Sequence, residues 1–285
     1  MYGTLQWRKT FCKLTTGKLF GLFFNTDFLF TSDDNGINWH KLPEIDGHYP
    51  VVNMVAAPDD GIFLLTQGNG ILYSRDAGKT WISRNNGIAN YTLADGLSVG
   101  PSGKVFAAVH PNGKTYSTID DGVNWNATNL SIFEQPDGSN YFIDNFSTLR
   151  VTTDGGLNYN YVYAFSFTAN PKLQFIDDKG DIYVSVSNNY DNLNLFCSAD
   201  NGHTFVPVYS AAYVQGIPLG IAQFSKHNGT FYFYAYGSGL IKTNDFKTYT
   251  NVSTTVTEQS RSYIITKNDE LVIGLNYGSI YYYLP

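Results

Sequence analysis

Cysteine, charge and long apolar runs are all scarce in this chain of 285 residues. The two cysteines, Cys12 and Cys197, lie in predicted strands of different repeat units, so a disulfide framework is not expected. Charged residues make up 15 % of the chain, and the net charge of −6 comes without a basic run, which argues against nucleic-acid binding. No apolar run is long enough to span a bilayer, so membrane insertion is not expected.

Helical periodicity is also absent, and residues 1–7 lack the basic and apolar regions of a secretory signal. We therefore expect a protein without a signal peptide that stays in the cytoplasm or is assembled into a particle or appendage. The five histidines are scattered without metal-ligand spacing, and no glycine-rich phosphate loop opens a helix. The sequence predicts no metal and no cofactor.

Aromatic residues and glycine are abundant instead. The chain contains 22 Tyr, 20 Phe and 27 Gly, a mixture typical of strands separated by tight turns. Its length suits one all-β domain spanning residues 1–285.

One octad, Ser-x-Asp-x-Gly-x-Thr-Trp at residues 74–81, recurs along the chain. The Asp carboxylate can accept backbone N–H groups within its own turn, Gly supplies a positive φ, and the aromatic residue enters the next strand as a core anchor. We interpret the Asp and aromatic positions of all the copies, including a shorter sixth one, as structural: Asp34 and Trp39, Asp76 and Trp81, Asp120 and Trp125, Asp154 and Tyr159, Asp200 and Phe205, and Asp245 and Tyr249.

The octad resembles the Asp-box, or bacterial neuraminidase repeat, of sialidases and sortilin-like receptors. In that superfamily the box joins the third and fourth strands of β-propeller blades. The resemblance therefore implies a propeller, but it implies no particular activity because unrelated propellers share the box.

A second repeat marks the same units independently. Seven polar turns each precede an apolar segment, and successive box aspartates lie 42, 44, 34, 46 and 45 residues apart. A period near 40 with four strands per unit is typical of a propeller. The seven turns predict a single seven-bladed β-propeller with Asp-box turns, in which residues 1–10, including Trp7, complete the C-terminal blade and close the ring.

Sialidase activity would need three arginines for the substrate carboxylate, a Tyr–Glu nucleophile pair and an Asp acid. The chain has five arginines, of which Arg75 lies inside a box, and the Phe/Tyr-Arg-Ile-Pro motif of that family is absent. Two carboxylates from distant blades, such as Asp95 and Asp144, could still flank a glycosidic bond. We predict no catalytic residue and keep a sialidase-like or other glycoside hydrolase as an alternative.

A binding face is predicted at the end of the blades opposite the boxes. There, the loops between second and third strands and the connectors between blades carry amides, carboxylates and Tyr, which are suited to recognition. The candidate residues are Asn25, Asp27, Gln67, Asn69, His110, Asn112, Asp144, Asn188, Asn189, Tyr190, Asp191, Tyr236, Asn276 and Tyr277 in the loops, and Tyr49, Tyr91 and Tyr213 in the connectors.

These observations predict a non-enzymatic interaction module that binds protein or glycan through its loop face. A component of a larger assembly, such as a phage virion or tail appendage, would suit the low charge and the Asn/Tyr-rich composition. A lectin with sugar sites between blades is a further alternative.

Overall fold

The computed structural model describes residues 11–22, 28–45, 50–88, 94–109, 114–135, 137–166, 170–187, 193–211, 220–235, 238–252, 260–275 and 280–283. Every regular element in these ranges is a β-strand. None of the described residues forms a helix long and apolar enough to cross a membrane.

The strands form seven antiparallel sheets, numbered here in chain order. Sheets 1 to 3 contain β1 (Phe11–Lys13), β2 (Leu19–Leu22), β3 (Leu29–Ser32) and β4 (His40–Lys41); β5 (Val51–Ala56), β6 (Ile62–Thr66), β7 (Gly70–Ser74) and β8 (Ile82–Ser83); and β9 (Ala94–Val99), β10 (Val105–Val109), β11 (Lys114–Thr118) and β12 (Asn126–Thr128). Sheets 4 and 5 contain β13 (Asn140–Ile143), β14 (Thr148–Thr152) and β15 (Asn160–Ala164); and β16 (Lys172–Ile176), β17 (Ile182–Ser187), β18 (Leu193–Ser198) and β19 (Val206–Ala211). Sheets 6 and 7 contain β20 (Ile221–His227), β21 (Thr230–Ala235), β22 (Gly239–Thr243) and β23 (Thr250–Asn251); and β24 (Ser260–Ile265), β25 (Leu271–Leu275) and β26 (Ile280–Tyr283).

The strands form where apolar residues run between polar turns. All of Ile62–Thr66 is buried, because a middle strand is covered on both faces by neighbouring sheets. The outer strand Ile82–Ser83 is exposed and only two residues long. Consecutive strands pair as a meander, so the turns after the first and third strands lie at one end of a sheet and the second turn lies at the other.

Two compact units divide the chain. The first comprises residues 1–129 and 258–285, and the second comprises residues 130–257. In each unit the core lies between neighbouring sheets: Phe63 and Trp125 belong to the cluster between sheets 2 and 3, and Leu149 and Ile182 to the cluster between sheets 4 and 5. Face-to-face packing of small twisted sheets is how propeller blades bury their apolar residues.

Polar contacts also tie neighbouring sheets together near their first turns. Thr15 donates its N–H and hydroxyl to the Asp60 carboxylate at 2.6 and 2.7 Å. Gln135 donates to the carbonyl of Gly180 at 2.9 Å, and Lys226 bridges the buried Asp177 and the exposed Asp178. These contacts fix neighbouring sheets relative to each other within each unit.

The prediction of seven blades is wrong, because six sheets form blades. A blade here means a sheet whose last two strands are joined by an Asp-box turn, as in sheets 1 to 6. Sheet 7 has three strands among the described residues, and none of these strands is joined to the next by an Asp-box turn. The seven polar turns overcount blades because each joins only the inner strands of a sheet, which sheet 7 also has. The predicted closure by residues 1–10 lies outside the described residues.

Sheet 4 also departs from the expected four strands. Its inner segment forms one isolated bridge, Glu134 to Asn140, instead of a strand. Side-chain bonds replace the missing ladder: Ser131 donates its N–H to the Asn140 amide oxygen at 2.8 Å, and the Asn140 amide donates to the Ser131 carbonyl at 2.7 Å. The short spacing of 34 residues between Asp120 and Asp154 accounts for the missing inner strand.

Candidate functional site

An Asp carboxylate holds each of the six box turns together. In the second turn, Asp76 accepts the N–H of Thr80 at 2.9 Å and its hydroxyl at 2.7 Å. Ser74 donates its hydroxyl to Asp76 and accepts the N–H of Gly78, both at 2.9 Å. The same arrangement, with Asn or Thr as the fourth residue after the Asp, recurs at Asp34, Asp120, Asp154 and Asp200.

These hydrogen bonds favour the ionised carboxylate. The bonds from the residue four positions further on are the main cause that lowers the pKa of Asp34, Asp76, Asp154 and Asp200 from 3.8 to about 2. A carboxylate that stays ionised and is occupied by its own turn is poorly suited to act as a general acid near neutral pH.

The Gly of the second box and the aromatic residue of the third box pack against the preceding sheet. Gly78 has φ +82°, and a Cβ there would lie 3.3 Å from Phe20 and 3.0 Å from Leu42. Trp125 is buried, whereas Trp39 and Trp81 are half-buried, and Trp7 lies outside the described residues.

The sixth box uses a different solution. Phe246 takes the place of the x-Gly pair with φ 54°, and its ring packs 4.7 Å from that of Phe231 and 5.6 Å from that of Tyr183. Asp245 still accepts the N–H groups of Lys247 and Thr248 at 2.9 and 3.0 Å. Ring packing on Phe231 of the same sheet and on Tyr183 of the preceding sheet therefore replaces the close approach that Gly allows elsewhere, while Tyr249 stays exposed.

Of the predicted binding-face residues, the structure describes Gln67, Asn69 and Asp144. The others lie outside the described residues: Asn25, Asp27, His110, Asn112, Asn188, Asn189, Tyr190, Asp191, Tyr236, Asn276, Tyr277, Tyr49, Tyr91 and Tyr213. The three described residues lie in turns between second and third strands, at the end of the sheets opposite the boxes. The face as a whole stays a prediction.

The Asp144 turn is rigidly braced. Asp144 accepts the N–H groups of Phe146 and Thr148 at 2.9 and 3.0 Å, and Arg150 donates to its other oxygen at 2.6 Å. Partial burial acts to raise the pKa of Asp144, but these bonds outweigh it and hold the pKa below its ordinary value. The carboxylate thus caps a turn, and the same turn presents Phe146 with 74 % of its surface exposed.

The turn with Gln67 and Asn69 is held in place by a side chain from the segment that follows the outermost strand of its sheet. The Asn85 amide donates to the Asn69 carbonyl at 3.0 Å and accepts the N–H of Ile71 at 2.7 Å. The backbone of this turn is therefore fixed, whereas the Gln67 side chain is exposed.

A groove of about 310 Å³ lies in the second unit, between sheets 4 and 5, at the end that carries the box turns. Sheet 4 supplies one wall with Tyr141, Val151 and Asn160, which are paired directly across β13, β14 and β15 and so face the same side. The box turn of sheet 5 supplies Asn201 and His203. The remaining lining residues are Gln135, Asp137, Ser139, Thr153, Tyr161 and Val162.

Several polar side chains of this groove have no internal partner. Tyr141 is only 4 % exposed, yet its hydroxyl makes no hydrogen bond to any described residue. The side chains of Asn160, Asn201 and His203 also make none within the described ranges. Burial, and to a lesser extent the charge of Asp137, raises the pKa of Tyr141. The hydroxyl is therefore neutral at physiological pH and can both donate and accept.

Neither metal nor thiol chemistry is supported in the described part of the chain. No group of three or more His, Cys, Asp or Glu side chains there could hold a metal ion. Both cysteines are free, and burial raises the pKa of Cys197 to about 11, so its thiol is protonated at neutral pH.

Sequence analysis missed the groove because its residues are far apart in sequence and none belongs to a catalytic motif. A signal was present in the box repeats. Aligned on the box, Arg75 corresponds to Thr153, and Tyr73 to Val151. Replacing two large side chains with small ones indicates unfilled space beside sheet 4.

Comparison with known proteins supports the fold. A family model described as BNR/Asp-box repeat matches residues 30–41. No curated protein sequence matches the chain. The predicted resemblance to the Asp-box β-propeller superfamily is confirmed, and the chain has an all-β propeller fold.

Solved structures with unrelated functions share this fold. A structure of YCF48 bound to D1 peptide is 13 % identical, with a TM-score of 0.69, over 100 % of this chain and 94 % of that one. A virginiamycin B lyase from Staphylococcus aureus is 11 % identical, with a TM-score of 0.68, over 99 % and 97 %. A GH74 enzyme from Niastella koreensis is 16 % identical, with a TM-score of 0.61, over 98 % and 52 %. At such identities the likeness concerns the fold alone.

Proposed function

We propose that this chain is a non-enzymatic binding module that engages a protein partner through the turns between second and third strands. The observation that carries the proposal is Phe146, a large apolar side chain that is 74 % exposed on a turn braced by Asp144 and Arg150. An exposed aromatic residue on a rigid turn is a typical anchor for a protein interface, because little conformational freedom is lost on binding.

The state of Asp144 and of the box aspartates supports binding over catalysis at these positions, whereas the pKa of Asp181 is raised by burial and by the charge of the neighbouring Asp177. Asp144 is committed to Arg150 and two backbone N–H groups, and the box aspartates are committed to their own turns. A glycoside hydrolase needs one carboxyl group with a raised pKa beside a second carboxylate. Asp144 and the box aspartates have lowered pKa values instead.

The YCF48 structure carrying a peptide supports a protein partner for this fold. The finer form of the proposal is a component of a larger assembly in the cytoplasm or on a particle, such as a virion or tail appendage. That form rests on composition, and a stable complex on gel filtration of native material would support it.

Site-specific photo-crosslinking tests the proposal. A photoreactive amino acid replaces Phe146, and a matched control replaces Leu157, which is also exposed but lies on a box turn at the opposite end of sheet 4. In the cells that make the protein, we expect a discrete, protease-sensitive product from position 146 and none from position 157.

Equal labelling at both positions, or none at position 146, would contradict binding through this turn. Turnover of a panel of fluorogenic glycosides, sialosides included, by the purified chain would contradict the non-enzymatic assignment.

A further inference from the structure

We propose that the groove between sheets 4 and 5 binds a neutral saccharide. This site lies at the box-turn end of the second unit, away from Phe146, and the inference does not depend on the proposed protein partner. A volume of about 310 Å³ is within the range of small-ligand sites.

The lining offers groups that both donate and accept hydrogen bonds. The hydroxyl of Tyr141 and the side chains of Asn160, Asn201 and His203 make no hydrogen bond among the described residues and border one space. The Tyr141 hydroxyl is not among the buried side-chain atoms that lack a partner, so it is accessible from the groove and available to a ligand there. Sugar hydroxyls have the same dual character as these side chains.

An aromatic surface accompanies these polar groups. Tyr161 lies at the rim with 65 % of its surface exposed and no hydrogen bond to a described residue. An exposed ring offers an apolar face to the C–H groups of a pyranose, while its hydroxyl remains available at the edge.

The charge of the lining argues against other ligand classes. No Lys or Arg is among the described residues that line the groove, so a phosphate or carboxylate ligand would meet no ammonium or guanidinium group from them. Asp137 is the one carboxylate among the described lining residues, and one of its oxygens already accepts the N–H of Ser139 at 2.8 Å. A cationic peptide would have only the other oxygen to pair with.

The equivalent place between sheets 2 and 3 explains why the groove is open. There, Arg75 pairs with Asp59, lies 3.9 Å from Asp121 and donates to the Tyr73 hydroxyl at 3.2 Å. In sheet 4 the short Thr153 stands where Arg75 stands in sheet 2, and Val151 stands where Tyr73 does. In sheet 2, Arg75 pairs with a carboxylate, and Arg75 and Tyr73 together fill the space beside it. In sheet 4 the Asp137 carboxylate has no such partner among the described residues and the space is open, so both are left for a ligand.

Saturation-transfer NMR and calorimetry with cellobiose, maltotriose, lactose and N,N′-diacetylchitobiose test the proposal on the full chain. We expect at least one of these probes to bind. Tyr161→Ala should weaken its binding about tenfold through loss of the ring face. Thr153→Arg should also weaken it at least about tenfold, since the new side chain fills the groove and pairs with Asp137.

Phe146→Ala is the matched control and should bind as the original chain does, because Phe146 lies at the other end of sheet 4. Thermal melting confirms that each variant is folded, and Tyr141→Phe, which removes one hydroxyl and no volume, should bind more weakly at an unchanged melting temperature. Absence of binding by all four saccharides, undiminished binding to Thr153→Arg, or preferential binding of L-argininamide would each overturn the proposal.

Discussion

Sheets 2 and 3 pack through the same positions as sheets 4 and 5 but fill them differently. In the first pair, Phe63 packs 4.8 Å from the Tyr73 ring and 6.1 Å from the Trp125 ring, and Arg75 donates to the Tyr73 hydroxyl. In the second pair, Tyr141 and Val151 occupy the places of Phe63 and Tyr73. The backbone repeat is therefore kept while side-chain volume decides whether the junction is closed or forms a groove.

The Asp-box itself does not distinguish these junctions. Asp76 and Asp154 make the same bonds to the fourth residue after them. The Asp-box turn and the groove between sheets 4 and 5 are thus separable, so a ligand site can form at one junction without disturbing the turn that joins the strands of the blade.

The two junctions should differ most in the free energy of unfolding that is lost when the aromatic box residue of each is replaced by Ala. Trp125 is 3 % exposed, and its indole N–H donates to the Arg84 carbonyl at 2.9 Å, whereas its counterpart Phe205 is half-buried. We expect Trp125→Ala to lower the free energy of unfolding by about 3–5 kcal/mol and Phe205→Ala by about 1–3 kcal/mol. Urea unfolding measures both, and equal losses would show that the two junctions are packed alike.

Opening the closed junction should cost somewhat less. Tyr73→Val gives sheet 2 the residue that sheet 4 has, leaves a cavity beside Phe63, and should lower the free energy of unfolding by about 2–4 kcal/mol. The reverse change, Val151→Tyr, fills existing space and should be close to neutral. A large loss from Val151→Tyr in the same urea experiment would mean that the groove cannot accept a ring.

Lowering the pH should destabilise both junctions together, and the contribution of each single box turn should be smaller than the losses of stability given above. The pKa of Asp76, Asp154 and Asp200 is about 2 in the folded chain against 3.8 ordinarily, so their contribution is complete above pH 3.8 and is lost as the pH falls through 2. We expect the melting temperature to fall between pH 4 and pH 2. Asp154→Asn should reduce the slope of that fall, and an unchanged slope would show that the turn does not hold the carboxylate.

Exchanging the box residues Arg75 and Thr153 should have the smallest effect on stability. Arg75→Thr removes an exposed ion pair and should lower the free energy of unfolding only slightly, and Thr153→Arg should raise it only slightly. Thermal melts at low and high salt measure both changes, which salt should reduce. A loss for Arg75→Thr as large as that for Tyr73→Val would show that Arg75 supports the packing of Tyr73 as well as the charges.

Much of the strand arrangement was predictable from sequence. An apolar segment was predicted after each of seven polar turns, and Ile62–Thr66, Val105–Val109 and Leu271–Leu275 are strands that follow such turns. The number of blades was not predictable in the same way, because a polar turn indicates the hairpin of the inner strands and not the Asp-box hairpin of the outer strands. Sheet 7 has the polar turn without an Asp-box turn among its described residues.

The candidate sites were predictable only in part. Asp144 was singled out by its loop, but its bond to Arg150 depends on the register of β13 and β14, which the sequence does not specify. The groove depends on which side chains lie opposite each other, as Tyr141, Val151 and Asn160 do. Such volume relations appear only after the strands have been paired.

The lengths of the outermost strands limit where copies of this protein could associate by strand addition. His40–Lys41, Ile82–Ser83 and Thr250–Asn251 each offer a stub too short to template a neighbouring chain. Val206–Ala211 is different, since this outermost strand is six residues long and begins with the exposed Val206, although Val208, Tyr209 and Ala211 pack against the core. Among these four strands, strand addition is therefore expected first at the exposed start of Val206–Ala211, and a lysine in place of Val206 is a simple safeguard for concentrated samples.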